Sequence, residues 1–481
     1  MAVTHATREY RGFVDIPRDG LTDRLLRHIP DRPRDLAAPP PGSGLKPVPG
    51  ERGLPWLGHV LESLRYGPAF EQLKFRQLGP VGWVQMFGVP MVHIAGPDAM
   101  QIVYVNKDKA FGHGWEFFIG PFFRRGLMLM DFEEHLAHRR IMQQAFTGDR
   151  LAGYFGTITE LTGHTVRNWL RDKAFPLYPT IKQLSLDIAA EVFMAAEVGA
   201  ERRRLARAFL ACTHAGTAIL RFGVPGGKWH AGLRGRAVLE EYFTRMLPAK
   251  RAGAGEDLFT ALCQAQTEDG ERFTDTGVVD HMIFLIMAAH DTSTITATAA
   301  AYFLGRHPEW QERARAESLA RGDAPLDLAG LNRLRTLDLV VKETLRLVPP
   351  VPGPVRRTVK DTEVLGHYLP AGTQIVLGTW VNHLMPEYWT DPLRFDPSRF
   401  DEPRREDKSH RYAWLPFGGG VHKCIGMHFG TLEVKTVLDA LLRHHEWSFP
   451  ADYEPRWGFT SLPFPKDDLP ITLRHQSYER T

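Results

Sequence analysis

Residues 417–426 read FGGGVHKCIG, and this stretch, which contains Cys424, decides how the sequence is interpreted. Three consecutive glycines allow backbone conformations, and a close approach to a flat ligand, that side chains would prevent. Residues 425–445 are a predicted helix, because their apolar residues recur at helical spacing. The backbone N–H groups at a helix start favour negative charge. We therefore expect the Cys424 thiol to ionise readily.

The chain has only three cysteines, Cys212, Cys263 and Cys424, among its 481 residues. So few cysteines argue against a secreted disulfide framework and favour a reducing cytoplasm. A buried structural thiol would be the ordinary alternative for Cys424 taken alone. The glycine run beside it favours a ligand instead, and a thiolate is an axial ligand of haem iron that promotes cleavage of an O–O bond.

Composition narrows the class of protein. The net charge is +3 and no lysine-rich tail is present, so nucleic acid is a poor partner. The first 20 residues are charged throughout, which is unlike a signal peptide or a membrane anchor. The apolar stretch 282–304 contains His290 and Asp291, so we expect a buried helix there rather than a transmembrane span. We expect an extended N-terminal arm over 1–48 and one large domain over 49–481.

The apolar pattern predicts a mainly α protein with small β-sheets. Short strand-like pieces occur in two regions, 81–94 and 358–377. Amphipathic helices are predicted over seven stretches, namely 134–146, 155–171, 180–197, 277–305, 308–320, 336–347 and 425–445.

Three further motifs carry charged or hydroxyl side chains on predicted helices. Glu343 and Arg346 share a face at i, i+3 before Pro349-Pro350 ends the helix; an ordinary surface pair is the alternative. Thr292 and Asp291 lie in the long apolar helix, where a hydroxyl can position water and a carboxyl can transfer protons. The alternatives there are a back-bond from Thr292 to the helix and a buried ion pair at Asp291.

The third motif places His135 and Arg139 one helical turn apart in 134–140, EHLAHRR, so both can point at one anion. A second pair of cations, Arg356 and Arg357, follows the proline break, and spacing does not decide cleanly between them. A solvated basic face is the alternative for each of these residues.

Together these motifs resemble the cytochrome P450 family over residues 45–475. The haem signature is matched by Phe417, Gly420, His422, Cys424 and Gly426, with His422 where arginine is usual. The resemblance implies the cytochrome P450 fold and haem b (iron protoporphyrin IX), whose iron Cys424 would ligate. The histidine at position 422 is similar to the one that sterol demethylases carry in this motif. The run His290-Asp291-Thr292 more closely resembles the corresponding run of retinoid hydroxylases.

The resemblance also implies roles for the other residues. Thr292 and Asp291 would deliver protons, and Glu343, Arg346 and Arg399 would form a network that holds the cysteine loop. The expected haem contacts are Phe417, Gly418, His422, His135, Arg139 and Arg357, with Arg356 as the alternative to Arg357. The family positions suggest an apolar substrate pocket formed by Phe117, Phe118, Phe122, Phe123, Leu127, Ile286, Ala289, Val351, Val355, Phe459 and Leu462.

The implied function is monooxygenation of a lipophilic small molecule of terpenoid, steroid, retinoid or fatty acyl type. The chain ends 57 residues after Cys424, so we expect electrons from a separate ferredoxin or flavodoxin with its reductase. Lys423, Arg139 and Arg140 are candidate contacts for such an acidic partner. The alternatives are a peroxide-driven peroxygenase, which would need no partner, and a non-catalytic haem sensor or ligand carrier.

Overall fold

The computed structural model describes residue 13 and residues 33–169, 174–195, 199–216, 218, 221–253, 255–450, 452–460 and 462–475. Most of the arm predicted over 1–48 therefore lies outside the described residues. The described chain is mainly helical with small sheets, as predicted. It divides into two compact units. Unit 1 comprises Met1–Gly114, Lys342–Lys423 and Trp457–Phe464, and unit 2 comprises Trp115–Val341, Cys424–Arg456 and Pro465–Thr481.

Unit 1 is built on a seven-stranded sheet with strand order β1-β2-β3-β4-β10-β7-β5, strands being numbered in chain order. The two predicted strand regions both contribute to it. The strands are β1 Arg34–Asp35, β2 Pro49–Glu51, β3 Val81–Met86, β4 Val89–Ile94, β5 Phe111–His113, β7 Val355–Thr358 and β10 Gln374–Leu377. A two-stranded sheet pairs β8 Thr362–Val364 with β9 His367–Leu369, and two short strands follow at β12 Trp457–Gly458 and β13 Phe464–Pro465.

The sheet of unit 1 is packed by short helices and an apolar core. The core includes Val81, Val92, Ile375 and Leu377, all with essentially no exposed surface. Parallel pairing of β10 with β4 joins the two distant sequence regions, with Ile375 opposite Val92. The helices are α1 Val60–Tyr66, α2 Pro68–Leu78, α3 Pro97–Val105 and α15 Thr379–His383, and the C-terminal half of α14 Arg335–Leu347 also belongs to this unit.

Unit 2 is a helical assembly organised around one long helix, α11, which runs from Asp275 to Arg306. Thr274 caps its start by accepting a hydrogen bond from the Gly277 N–H at 3.1 Å. The other helices are α4 Glu116–Phe123, α5 Phe132–Gln143, α6 Gly148–Arg167, α7 Leu177–Ala189, α8 Ala200–Ala215, α9 Lys228–Ala252, α10 Leu258–Gln264, α12 Pro308–Leu319, α13 Leu328–Arg333 and α16 Met427–His444. A small sheet contains β6 Ala174–Pro176, β11 His445–Trp447 and β14 Pro470–His475.

Helices α8 and α9 were not among the predicted elements, and glycines explain how closely they pack. A Cβ at Gly232 would lie 2.3 Å from the Ala215 Cβ, and one at Gly235 would lie 2.3 Å from the Ala208 carbonyl oxygen. Only glycine permits this approach of two helix backbones.

Within the described ranges, every helix is too short or too polar to cross a lipid bilayer.

Candidate active site

The cysteine loop of unit 1 lies over Tyr104, near the end of α3. Gly418 and Gly420 adopt left-handed φ values of 66° and 62°, which favour glycine. A Cβ at Gly420 would lie only 2.1 Å from the Tyr104 carbonyl oxygen, and one at Gly419 only 3.1 Å from the tyrosine ring. The glycine run is therefore required for the loop to close onto α3. The turn ends at His422, which is half-buried.

Unit 1 brings Glu343, Arg346 and Arg399 together at a position with no exposed surface. Arg346 donates two hydrogen bonds to the Glu343 carboxylate, at 2.7 and 2.8 Å, and Arg399 donates one at 3.0 Å. Burial would lower the pKa of Arg346, and the charge of Glu343 opposes that shift. The single carboxylate is thus shared by two guanidinium groups, which is a strong charge-assisted arrangement.

The network also holds the segment that precedes the cysteine loop. Arg346 donates to the His383 carbonyl at 2.8 Å and to the Pro392 carbonyl at 2.7 Å. The His383 ring nitrogen Nε2 accepts from the Leu415 N–H at 2.9 Å, two residues before Phe417. Burial lowers the pKa of His383 to about 3, so this ring is a neutral structural acceptor. His383 is a residue that the sequence analysis missed.

The two candidate arginines on β7 point to opposite sides of the strand. Arg356 is buried, and its guanidinium lies 6.0 Å from the centre of the Tyr104 ring. Arg357 is exposed. Because side chains alternate along a strand, only one of the two can face the cysteine loop. The structure places Arg356 near Tyr104, under the loop. This favours Arg356, the alternative, over Arg357 as the haem contact, and the choice stays a prediction.

In unit 2 the three cysteines have different surroundings. Cys212 and Cys263 are buried, and burial raises the pKa of their thiols to about 12 and about 11 respectively. Cys424 is exposed and stands three residues before α16 begins. Arg139, on α5, is close enough for the charge of Cys424 to raise its pKa, against a larger lowering by burial. A cation thus accompanies the thiol that the sequence singled out.

His135 is buried on α5, one turn from half-buried Arg139. A further histidine on this helix, His138, forms a 2.8 Å hydrogen bond through Nδ1 with Nε2 of His281 on α11. Burial lowers the pKa of His281 to about 3, so the pair joins α5 to α11 as neutral rings. The sequence analysis did not identify it, because His281 lies far away in the chain.

The centre of α11 contains the predicted hydroxyl and carboxyl groups. Thr292 Oγ1 donates to the Ala288 carbonyl at 2.9 Å, which is the back-bond considered above. Asp291 is ion-paired with Lys182 of α7 at 2.9 Å, and its carboxylate lies 3.2 Å from His290 Nδ1. Burial opposes ionisation of Asp291, but His290 and Lys182 outweigh it and hold its pKa well below the usual range.

A buried carboxyl on α16 lies beside this region and was also missed by the sequence analysis. Glu433 accepts a 2.7 Å hydrogen bond from Ser185 on α7. Burial raises its pKa to about 7, while Ser185 and Ser293 of α11 act in the opposite direction. Glu433 follows the apolar spacing of α16, so the sequence contains no signal that separates it from an exposed glutamate on the same helix.

The predicted pocket residues of unit 2 are buried or half-buried, apart from Phe117, which is exposed. Phe122 and Phe123 have no exposed surface, and Phe122 packs edge-on against Trp229 at 4.7 Å between ring centres. Ile286 and Leu127 are also buried. Ala289 and Phe118 are half-buried. Ile286 points away from the face of α11 that carries Ala288, since residues two apart on a helix are separated by about 160°.

The predicted pocket residues of unit 1 are Val351, Val355, Phe459 and Leu462. Val355 is buried in β7, while the other three are half-buried. Phe459 packs edge-on against Trp380 at 5.8 Å and lies over Gly67. Their role in substrate binding stays a prediction.

The residues of unit 2 fit a haem group. Cys424 offers an exposed sulfur near a helix start with Arg139 close by, and a thiolate is the donor that haem iron accepts from cysteine. The middle of α11 provides a second observation. Its residues are buried from 278 to 286 and again from 293 to 305, yet Met287, Ala288, Ala289, Asp291 and Thr292 are partly uncovered. Apart from its two ends, the helix is thus uncovered at its centre, which leaves room for a ligand there.

Comparisons with known proteins agree with the interpretation of this site as a haem site. The cytochrome P450 family model matches residues 48–465. A Mycobacterium tuberculosis protein named as cytochrome P450 136 is 51% identical over 470 residues, covering 96% of this chain and 95% of that protein. Ent-kaurenoic acid oxidase 1 of Arabidopsis thaliana is 28% identical, covering 83% and 85%. The solved structure of cyanobacterial CYP120A1 with retinoic acid bound is 26% identical with a TM-score of 0.81, covering 89% and 98%. The chain therefore belongs to the cytochrome P450 family of haem-containing monooxygenases.

Proposed function

We propose that this protein hydroxylates a lipophilic small molecule of terpenoid or retinoid type, using dioxygen and electrons from a separate ferredoxin or flavodoxin. The observation that carries the proposal is the exposed Cys424 beside Arg139, in contrast to two buried cysteines. When bound, haem supplies the oxidation chemistry. Cys424 would hold its iron, and the candidate cations would hold its propionates.

Each candidate cation has a defined place in its own unit. His135 and Arg139 lie one turn apart on α5 of unit 2, and His422 and Arg356 lie in the cysteine loop and β7 of unit 1. Guanidinium and imidazole N–H groups are the donors that a carboxylate such as a propionate accepts. We assign the β7 contact to Arg356, because Arg357 is exposed.

Proton delivery is assigned to Thr292 and Asp291. The Thr292 hydroxyl is half-buried at the uncovered centre of α11, and it can orient a water molecule or donate a proton there. Asp291 is ionised and paired with Lys182, so at rest it accepts hydrogen bonds and carries no proton. To pass protons inward it would exchange Lys182 for a water molecule.

The proposed substrate class is supported by the apolar residues at the predicted pocket positions and by the names of two similar proteins. The half-buried candidates Phe118, Val351, Phe459 and Leu462 are apolar, as expected for a site that binds a lipophilic molecule. The names of two relatives refer to ent-kaurenoic acid and retinoic acid. For the electron donor, Lys423 in unit 1 and Arg140 in unit 2 are exposed cations, which would attract an acidic protein.

The decisive experiment replaces the proposed ligand. Cys424→Ser should abolish the thiolate-type absorption band of the ferrous, carbon-monoxide-bound protein, whereas Cys263→Ser at a buried position should retain it. Turnover of a retinoid by the unaltered protein should require a ferredoxin, its reductase and NADPH. An intact band in Cys424→Ser would refute the iron ligation, and equal turnover with hydrogen peroxide alone would replace the monooxygenase proposal by a peroxygenase.

A further inference from the structure

A cavity lies within unit 2, between helices α6, α7, α8 and α11. It encloses about 810 Å³, within the usual range for small-molecule sites. Much of its lining is apolar, and Leu161, Leu186 and Leu210 are only half-buried. Apolar side chains left partly uncovered inside a concave space are typical of a ligand site.

The cavity is separate from the face of α11 that carries Thr292. Ile286 lines the cavity, and His290, one turn further along the same face, packs edge-on against Phe209, another lining residue, at 5.5 Å. Ala288, which accepts the hydrogen bond from Thr292, projects from the nearly opposite side of the helix. A molecule in this cavity would therefore contact the reverse side of α11.

The charged residues of the cavity lining are three arginines of α8 and one carboxylate of α7, Asp187. Arg202 is already paired with Glu191 at 2.7 Å and lies 3.7 Å from Asp187. Arg203 and Arg207 also line the cavity and are exposed. Among the described residues, neither has an acidic partner within ion-pair distance. The apolar walls thus end at two exposed guanidinium groups that no carboxylate within the described ranges neutralises.

We propose that this cavity is an effector site for an amphiphilic carboxylate. The apolar chain would lie against Leu161, Leu186 and Leu210, and Arg203 and Arg207 would donate to the carboxylate. Guanidinium groups are well suited to this because their paired N–H donors match a carboxylate. The occupant would pack between α8 and the back of α11, so it could alter substrate oxidation without entering the haem site. This inference does not depend on the identity of the substrate.

The test uses laurate as the probe and the haem-loaded protein with its iron saturated by an azole, so that the haem site is closed. Calorimetry should show one laurate bound per chain. The double variant Arg203→Gln/Arg207→Gln should weaken binding by about tenfold or more, as expected for the loss of charged hydrogen bonds. Arg204→Gln is the matched control, because Arg204 lies on the same helix but is paired with Glu241 at 2.8 Å. It should bind laurate normally.

Two further measurements separate specific binding from adsorption. Ala206→Phe, which places a ring in the cavity lining, should abolish laurate binding, and dodecanol should bind more weakly than laurate. The azole difference spectrum must be the same in every variant, which confirms that each is folded. The proposal is overturned if laurate fails to bind the azole-saturated protein, if the arginine variant keeps full affinity, or if Ala206→Phe still binds.

Discussion

At the scale of single residues, two neighbouring arginines differ in their surroundings because side chains alternate between the two faces of a strand. Arg356 is buried beside Tyr104, whereas Arg357 is exposed. Arg356→Ala should therefore speed the loss of haem to excess apomyoglobin by about tenfold or more, since a charged hydrogen bond is lost. Arg357→Ala should leave that rate unchanged. Faster haem loss in Arg357→Ala, with none in Arg356→Ala, would reverse the assignment.

A second residue-scale prediction concerns the two threonine back-bonds of α11. Thr292 Oγ1 donates to Ala288, and Thr296 Oγ1 donates to Thr292 at 2.8 Å. The first hydroxyl is half-buried at the uncovered centre, and the second is buried. Thr292→Ala should retain haem but release severalfold more hydrogen peroxide per electron, while Thr296→Ala should remain coupled. Equal product per electron in both variants would leave Thr292 with a structural role alone.

At the scale of elements, the buried carboxylate at Glu343 joins α14 to the segment before the cysteine loop. Glu343→Ala leaves the buried guanidinium of Arg346 without its carboxylate and leaves Arg399 with Glu406 alone. We therefore expect a loss of about 3–5 kcal/mol in the free energy of unfolding. Glu241→Ala is the control. Glu241 pairs with Arg204, and the two side chains are 58% and 47% exposed, so its removal should cost no more than about 1 kcal/mol. Urea titration compares the two, and similar losses would contradict the shared-carboxylate argument.

The same scale shows what the sequence could and could not predict. Periodic apolar residues predicted α11 and α16 with bounds within a few residues of those observed. Helix α9 was missed because it contains Gly232, Gly235 and Pro248, which normally indicate a break. Two of these residues are there for close packing against α8, a tertiary requirement that local pattern does not express.

The residues of the candidate site also fall into those that the sequence could predict and those that it could not. Cys424, Glu343 and Thr292 could be found because each belongs to a motif with fixed spacing. His281, His383 and Glu433 could not, since each acquires its role from a partner more than 30 residues away in the chain. The choice between Arg356 and Arg357 needed the strand orientation, which depends on pairing with β10.

At the scale of the whole molecule, the stability of the fold should depend on pH through Glu433. Burial raises the pKa of this carboxyl to about 7, from 4.5, so the native state favours its protonated form. The stability it contributes is fully present below pH 4.5 and is lost as the pH rises toward 7. The loss amounts to about 3 kcal/mol at pH 8.

Glutamine at this position cannot ionise but can still accept hydrogen bonds from Ser185 and Ser293. The free energy of unfolding of Glu433→Gln, relative to that of the unaltered protein, should therefore rise by about 3 kcal/mol between pH 4.5 and pH 8. The measurement is the difference between two urea titrations at each pH, with the haem concentration fixed. Because all other titrating groups are common to both proteins, their contributions cancel in this difference. Glu312→Gln, at an exposed position, should show no such gain. A constant difference between Glu433→Gln and the unaltered protein at both pH values would mean that Glu433 is ionised in the native state, with Ser185 and Ser293 stabilising its charge.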